Sequence, residues 1–188
     1  MMEETRNKMK KVYEIKIRLL SAMHINAGVA PDSKRVFVKS DGKPYIPATL
    51  FKGLVRSNFE MLLNTYAPEN AAVANAFFGD EGYNRSHTVF DNLFSEQAVD
   101  YENRANVSIS RYTRKNIDKA LVFSEVVSRR DSSGQDIVFS GEVAVYYSEE
   151  MLEYEKYFIE AVKLVNSIGN GKSRGLGYAE VSIVEKTC

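Results

Sequence analysis

Apolar and polar residues alternate strictly near the start of the chain, from Val12 to Leu19. The apolar positions are Tyr13, Ile15, Ile17 and Leu19, and charged residues lie between them. Successive side chains of a strand point to opposite faces of a sheet, so a period of two predicts a half-buried β-strand. A shorter run from Val36 to Lys39 leads into the Asp41-Gly42 turn signal and predicts a second strand.

The next segment, Leu50 to Leu63, has the three- and four-residue apolar spacing of an amphipathic helix. Thr49 stands where an N-cap is expected. Lys52 and Arg56 are four residues apart on the polar side, so we expect an exposed basic stripe along this helix.

Three β-rich segments follow, at Asn106 to Ser110, Leu121 to Val127 and Ile137 to Tyr147. A second amphipathic helix is predicted from about Glu149 to Ile168, with Gly169 as its C-cap. A last strand carries alternating apolar residues at its inward positions, namely Ala179, Val181 and Ile183.

This order of elements predicts an α+β fold, a ferredoxin-like (RRM-like) sheet with both helices on one face. The extra strands in the middle predict an inserted hairpin. No internal repeat or linker divides the chain, so residues 1–188 are expected to form a single domain with inserted loops.

The composition and charge of the chain indicate which classes of protein it can belong to. The chain has 25 Lys plus Arg and 25 Asp plus Glu, so its net charge is zero and it lacks the overall basic charge of many nucleic-acid-binding proteins. Cys188 is the only cysteine, which is typical of a reducing compartment and predicts a cytoplasmic protein. The chain contains no apolar run of the about 20 residues that a membrane helix needs.

The most informative motif is the glycine-rich loop, residues 169–177. It contains Gly169, Gly171, Gly175 and Gly177 together with Lys172, Ser173 and Arg174. Asn166 replaces the first glycine of a P-loop, and Arg174 replaces the third glycine of a dinucleotide fingerprint. A backbone of this kind can instead lie against the phosphates of an extended chain, or it can be a tight helix-to-strand turn.

The loop resembles the G-x-G-[KR]-x-R-G-x-G signature of the RAMP superfamily, and residues 47–56 resemble its PGSSLKGxxR motif, with Ala48 and Leu50 as departures. Residues 23–28 are similar to a family LHIGxG motif. The resemblance covers nearly the whole chain after residue 12. It is greatest to the repeating backbone subunit of type III CRISPR effector complexes, which coats guide RNA and inserts a thumb hairpin between bases.

The resemblance implies a modified ferredoxin-like fold with a thumb at about residues 111–130, and it implies an RNA-binding surface. The RNA-binding residues expected from it are His24, Lys52, Arg56, Arg111, Tyr112, Arg114, Lys115, Lys172, Ser173 and Arg174, together with the four loop glycines. The implied partners are guide RNA, complementary target RNA, other subunits of the complex, and further copies of the chain packed in series.

Asp32 is the candidate catalytic residue that the resemblance implies, since its spacing to Pro44 matches that of the aspartate with which such subunits cleave target RNA. It would also be the ligand of Mg²⁺ or another divalent metal. Two alternatives stay open: a guide-coating subunit without catalysis, and an RRM-like scaffold that binds only protein. A metal-independent ribonuclease with His24 or His87 as general base is a further alternative.

Overall fold

The computed structural model describes residues 9–80, 82, 85–95 and 97–186; Cys188 lies outside this part. The strands are β1 (Met9–Leu19), β2 (Asn26–Val29), β3 (Arg35–Phe37), β4 (Lys39–Ser40), β5 (Lys43–Ile46), β6 (Thr88–Phe90), β7 (Leu93–Ser95), β8 (Tyr101–Ile109), β9 (Asn116–Val127), β10 (Val138–Tyr147) and β11 (Ala179–Glu185). The helices are α1 (Ala48–Tyr66), α2 (Val73–Phe78), α3 (Glu149–Leu152) and α4 (Glu155–Lys163), and short 3-10 turns lie at Pro68–Asn70 and Lys172–Arg174.

The larger sheet has the strand order β11-β1-β10-β7-β5-β4, and β6 also pairs with β10. The strands β1, β6, β10 and β11 correspond to strands 1 to 4 of a β-α-β-β-α-β unit. In the central part of the sheet they lie in the order β11-β1-β10-β6, which is 4-1-3-2. These pairs are antiparallel. The ferredoxin-like α+β fold predicted from the order of elements is therefore confirmed.

One face of the larger sheet carries the core. The alternating residues of β1 are buried, and α1 covers them with its own buried stripe of Phe51, Val55, Phe59 and Leu63. A partly buried polar network joins the sheet to α4: the Tyr13 hydroxyl donates to a Glu155 carboxylate oxygen at 2.6 Å and lies 3.0 Å from the Tyr147 hydroxyl. Burial and this carboxylate raise the pKa of Tyr13 far above its usual range.

The smaller sheet has the order β2-β3-β9-β8 and contains the inserted hairpin, β8–β9. The hairpin is longer than the predicted thumb of about 111–130, because its first strand already begins at Tyr101 and its tip is the turn at residues 110–115. A parallel pairing of Arg35 with Ser124 connects β3 to β9. The β8–β9 hairpin, which forms the thumb, and the β2–β3 hairpin, which carries Asp32, thus belong to the same sheet.

Two details of the predicted helices are wrong. Helix α1 begins at Ala48, with Pro47 in front of it, and Asn92 from a distant loop accepts the Ala48 N–H at 2.8 Å, so Thr49 is not the N-cap. The predicted helix from Glu149 to Ile168 is divided into α3 and α4, and it ends at Lys163. Gly169 is consequently not its C-cap.

Candidate nucleic-acid interface

The glycine-rich loop connects the segment after α4 to β11, and two of its glycines are required by close packing. A Cβ atom on Gly169 would lie 2.2 Å from the His24 carbonyl oxygen, and one on Gly177 would lie 2.0 Å from the Ile168 carbonyl oxygen. Both residues also have positive φ angles, of 85° and 77°. These two glycines therefore have a structural role whether or not the loop binds a ligand.

Backbone hydrogen bonds join the loop to residues 20–24, which we call the connector. The Asn170 N–H donates to the His24 carbonyl at 2.7 Å, and the Gly177 N–H donates to the Ala22 carbonyl at 2.8 Å. Leu176 is buried in a small cluster with Ala22 and with Val126 of β9. The loop is thus held between the connector and the base of the thumb hairpin.

Lys172, Ser173 and Arg174 form a single 3-10 turn at the outside of the loop, and all three are exposed. The Arg174 guanidinium donates from Nη1 to Oδ1 of Asn106 in β8 at 3.3 Å. Two cations and a hydroxyl are therefore presented beside the thumb hairpin, as a phosphate backbone would require.

The thumb tip is the turn at residues 110–115. The Ser110 N–H donates to the Lys115 carbonyl, and the Arg114 N–H donates back to Ser110. Tyr112 is 99% exposed at the end of this turn, and the neighbouring Arg111, Arg114 and Lys115 are also exposed. A projecting aromatic ring among cations is the combination that binds a base and its adjoining phosphates.

Lys52 and Arg56 do not form the exposed basic stripe that their spacing predicted. The Lys52 ammonium donates to the Ser86 hydroxyl at 2.9 Å, and burial together with the Arg56 charge lowers its pKa. Arg56 donates to the Gly79 carbonyl, to Asn75 and to Glu60. The chain after α2 folds back over this side of α1, so both cations are half-buried, and their contact with RNA stays a prediction.

His24 is buried, with only 3% of its surface exposed, and it lies in the connector that follows β1. Its Nδ1 atom lies 2.6 Å from the backbone carbonyl of Glu125 and must donate, because a carbonyl oxygen only accepts. Its Nε2 atom has no hydrogen-bond partner within the described residues. The side chain is therefore inaccessible in this structure, and its contact with RNA stays a prediction.

Asp32 lies in the exposed turn between β2 and β3. One carboxylate oxygen, Oδ1, accepts the Lys34 N–H at 3.1 Å, and the Ala30 N–H closes the turn on the Lys34 carbonyl at 2.8 Å. Ser33 has a positive φ of 63° at the tip. Asp32 thus stabilises its own turn while its carboxylate remains open to solvent.

A carboxylate that the sequence did not single out as a site residue supports this turn from β9, with only 12% of its side chain exposed. Glu125 accepts the Phe37 N–H at 3.0 Å and an ammonium proton of Lys39 at 3.1 Å, and Lys34 lies 3.7 Å from it. Burial opposes ionisation, yet the Phe37 N–H and the two lysines hold the pKa of Glu125 below its usual value. Strand alternation alone gave no signal, because an ion pair between strands depends on the tertiary fold.

The predicted metal site consists of Asp32 alone. No group of three His, Cys, Asp or Glu residues within the described part of the chain is arranged to hold a metal ion. An exposed aspartate fits Mg²⁺ only as one ligand among water and substrate oxygens, which is a common way for this ion to bind. The residues present therefore fit a metal shared with bound RNA better than a resident one.

None of the helices in the described ranges is both long enough and apolar enough to span a membrane.

Comparison with known proteins identifies relatives at the level of family and fold. The family model of the RAMP superfamily matches residues 16–180. A search of curated proteins finds no match. Among solved structures, the chain is similar to one in a cryo-EM structure of the Type III-B Cmr-beta bound to cognate target RNA, with a TM-score of 0.68 and 11% identity over 93% of this chain and 97% of that chain. At this identity the likeness is one of fold.

Proposed function

The chain belongs to the RAMP superfamily, and from that premise we propose that it is a guide-RNA-binding backbone subunit of a type III CRISPR effector complex. The observation that carries the proposal is that the glycine-rich loop contacts the thumb hairpin, so that the two exposed basic features belong to one surface. The loop cations lie beside β8 through the Arg174–Asn106 hydrogen bond, and Leu176 packs against β9. If the loop binds the phosphates of an RNA strand, the bases of the next nucleotides in that strand would lie beside the hairpin.

Target-RNA cleavage at Asp32 is the finer part of the proposal. In this reaction a ribose 2′-hydroxyl loses its proton to solvent and attacks the adjacent phosphate, the bond to the next nucleotide's 5′-oxygen breaks, and that oxygen leaves as a hydroxyl after taking up a proton from solvent. A 2′,3′-cyclic phosphate remains. When bound, a divalent metal supplies charge neutralisation at that phosphate. The exposed Asp32 carboxylate is free to orient the hydroxyl or to share the metal, and the Lys34 N–H holds it in place. DNA lacks the attacking hydroxyl and should not be cleaved.

The partners that we propose are guide RNA, complementary target RNA, other subunits of the effector complex and further copies of this chain in series. A cytoplasmic location belongs to the same proposal. The chain of similar fold belongs to a structure of Type III-B Cmr-beta bound to cognate target RNA, which supports RNA as the ligand.

A guide-coating subunit without catalysis is the second candidate. It is favoured by the turn-stabilising hydrogen bond of Asp32, which accounts for an aspartate at this position without any chemistry. A protein-binding scaffold is the third, and it is favoured by the exposed apolar side chains on one face of the hairpin, Val107, Leu121 and Phe123.

The test is reconstitution with a guide RNA and partner subunits, followed by addition of labelled complementary RNA and Mg²⁺. Asp32→Asn is the sharpest variant, because its amide oxygen still accepts the Lys34 N–H while its charge is lost and its affinity for a divalent metal falls. Regularly spaced cuts that disappear in Asp32→Asn would support the nuclease. Tight, salt-dependent binding without cuts would leave the guide-coating subunit, and no RNA binding would contradict both.

A further inference from the structure

Three guanidinium groups converge on one carboxylate on the sheet face that the helices do not cover. Asp136 lies 3.3 Å from Arg18, 3.4 Å from Arg129 and 3.1 Å from Arg130. Arg18 also contacts Glu180, so three cations face two anions. The arginine cluster, as we call Arg18, Arg129 and Arg130, keeps a positive excess in a chain whose net charge is zero.

The geometry leaves donors for another ligand. Arg130 donates from Nε to Asp136 at 3.1 Å, whereas the Nε atom of Arg129 lies 3.4 Å from the same oxygen without a hydrogen bond. The side chains of the cluster are 47%, 42% and 58% exposed. The guanidinium of a partly exposed arginine presents a planar fork of N–H donors that matches a phosphate.

Tyr178 lies between this cluster and the glycine-rich loop. It follows Gly177 directly, and its carbonyl accepts the Leu20 N–H at 2.8 Å and the Ser21 N–H at 3.2 Å, while Ser21 accepts its own N–H. Its side chain is nevertheless 47% exposed. Tyr178 pairs with Ser167 directly before β11. Because side chains two residues apart share a face of extended chain, this pairing indicates that Tyr178 lies on the same side as Glu180 and its partner Arg18.

We propose that Arg129 and Arg130 bind the phosphates of single-stranded RNA that continues from the glycine-rich loop across Tyr178, while Arg18 is held by Glu180 and Asp136. This inference rests on the proposed function and extends its RNA path to the helix-free face of the sheet. An exposed aromatic ring on a hydrogen-bonded backbone segment, next to cations on either side, is suited to stacking one base between phosphate contacts. Duplex RNA would not offer such a base.

The experiment measures binding of the full chain to a fluorescein-labelled oligouridine over a series of salt concentrations. Arg129→Gln/Arg130→Gln should weaken binding about tenfold at low salt and reduce the salt slope by about 0.7 for each phosphate that is no longer neutralised. The matched control is Lys156→Gln/Lys163→Gln in α4, which removes the same charge from exposed positions elsewhere. Equal effects of the two double variants would overturn the proposal.

Asp136→Asn separates phosphate binding from a structural role of the cluster. If the arginines only stabilise the turn around Asp136, this variant should weaken RNA binding as the arginine variant does, and that result would overturn the proposal. If they bind phosphate, binding should be unchanged or tighter, since a competing carboxylate is lost. Thermal melting of each variant checks that the fold is retained, and Arg129→Lys/Arg130→Lys should recover most of the salt slope.

Tyr178 is tested in the same assay. Tyr178→Leu should weaken binding about fivefold or more, and Tyr178→Phe should not, because it keeps the stacking surface. Loss of binding in Lys172→Ala/Arg174→Ala with no loss in the arginine-cluster variant would overturn this inference and leave the proposed function standing. Failure of the wild-type chain to bind RNA would overturn both.

Discussion

Leu176 of the glycine-rich loop packs against Val126 of β9, so the loop and the thumb hairpin share one small apolar cluster. Leu176 is only 8% exposed although its neighbours Lys172 to Gly175 are at the surface. The position of the loop cations relative to the thumb therefore depends on an apolar contact beneath them.

Leu176→Ala tests this contact. Truncation of a buried leucine should cost about 2–3 kcal/mol of unfolding free energy, and the displaced loop should bind RNA more weakly. Urea unfolding and RNA titration measure the two effects. Leu164→Ala is the control, because Leu164 is 45% exposed; an equal loss of stability in both variants would contradict the importance of the Leu176 contact.

Substitutions at two loop glycines should separate the cost of a steric clash from the cost of backbone strain. Gly175 and Gly177 have nearly equal φ angles, of 78° and 77°, but a Cβ on Gly175 would meet no described atom within 4 Å, whereas one on Gly177 would meet the Ile168 carbonyl. Gly175→Ala should cost about 1 kcal/mol from strain alone. Gly177→Ala should cost several-fold more, as measured by urea unfolding, and equal costs would argue against the close approach.

Glu125 should make stability fall in acid. Its pKa is held below the ordinary value of 4.5 in the folded chain, so the stabilisation is present above that value and is lost as the pH falls through the depressed pKa. Urea unfolding from pH 7 down to pH 3 should show a smaller loss in Glu125→Gln than in the wild type. A loss of the same size in both would show that other groups carry the acid sensitivity.

Tyr112 should affect RNA binding without affecting the fold. Because its side chain is 99% exposed, Tyr112→Ala should leave the melting temperature unchanged. RNA affinity should fall about fivefold or more as stacking is removed, whereas Tyr112→Trp should retain it. Tyr66→Ala is the control, since Tyr66 is 68% exposed at the end of α1, away from the thumb; equal reductions in affinity would contradict a role for the tip.

Local sequence periodicity predicted the parts of the fold that local burial determines. The alternation of Tyr13 to Leu19 and the helical spacing of α1 were sufficient, because each is a one-sided burial pattern. The end of α4 was missed because burial continues past it: Val165 and Ile168 are buried in the irregular segment that follows the helix. There the Ile168 N–H pairs with the Gly177 carbonyl, and the Ala179 N–H pairs with the Asn166 carbonyl.

The candidate site was predicted less completely, for the same physical reason. The loop and thumb tip were found because charge and glycine content are local properties. Lys52 and Arg56 were placed on the polar side of α1, but the backbone of Gly79 and the hydroxyl of Ser86, which accept their protons, come from a distant segment. Glu125 was missed because its partners Phe37 and Lys39 lie on other strands.

The connector constrains how this chain can change in length. Leu20 and Ser21 bond to Tyr178, Ala22 bonds to Gly177, Met23 pairs with Val127, and His24 bonds to Asn170. Consecutive residues thus engage the loop and β9, and a single inserted or deleted residue would shift every later partner by one position. Insertions and deletions among homologues should therefore be frequent at the thumb tip and absent between Leu19 and Ile25.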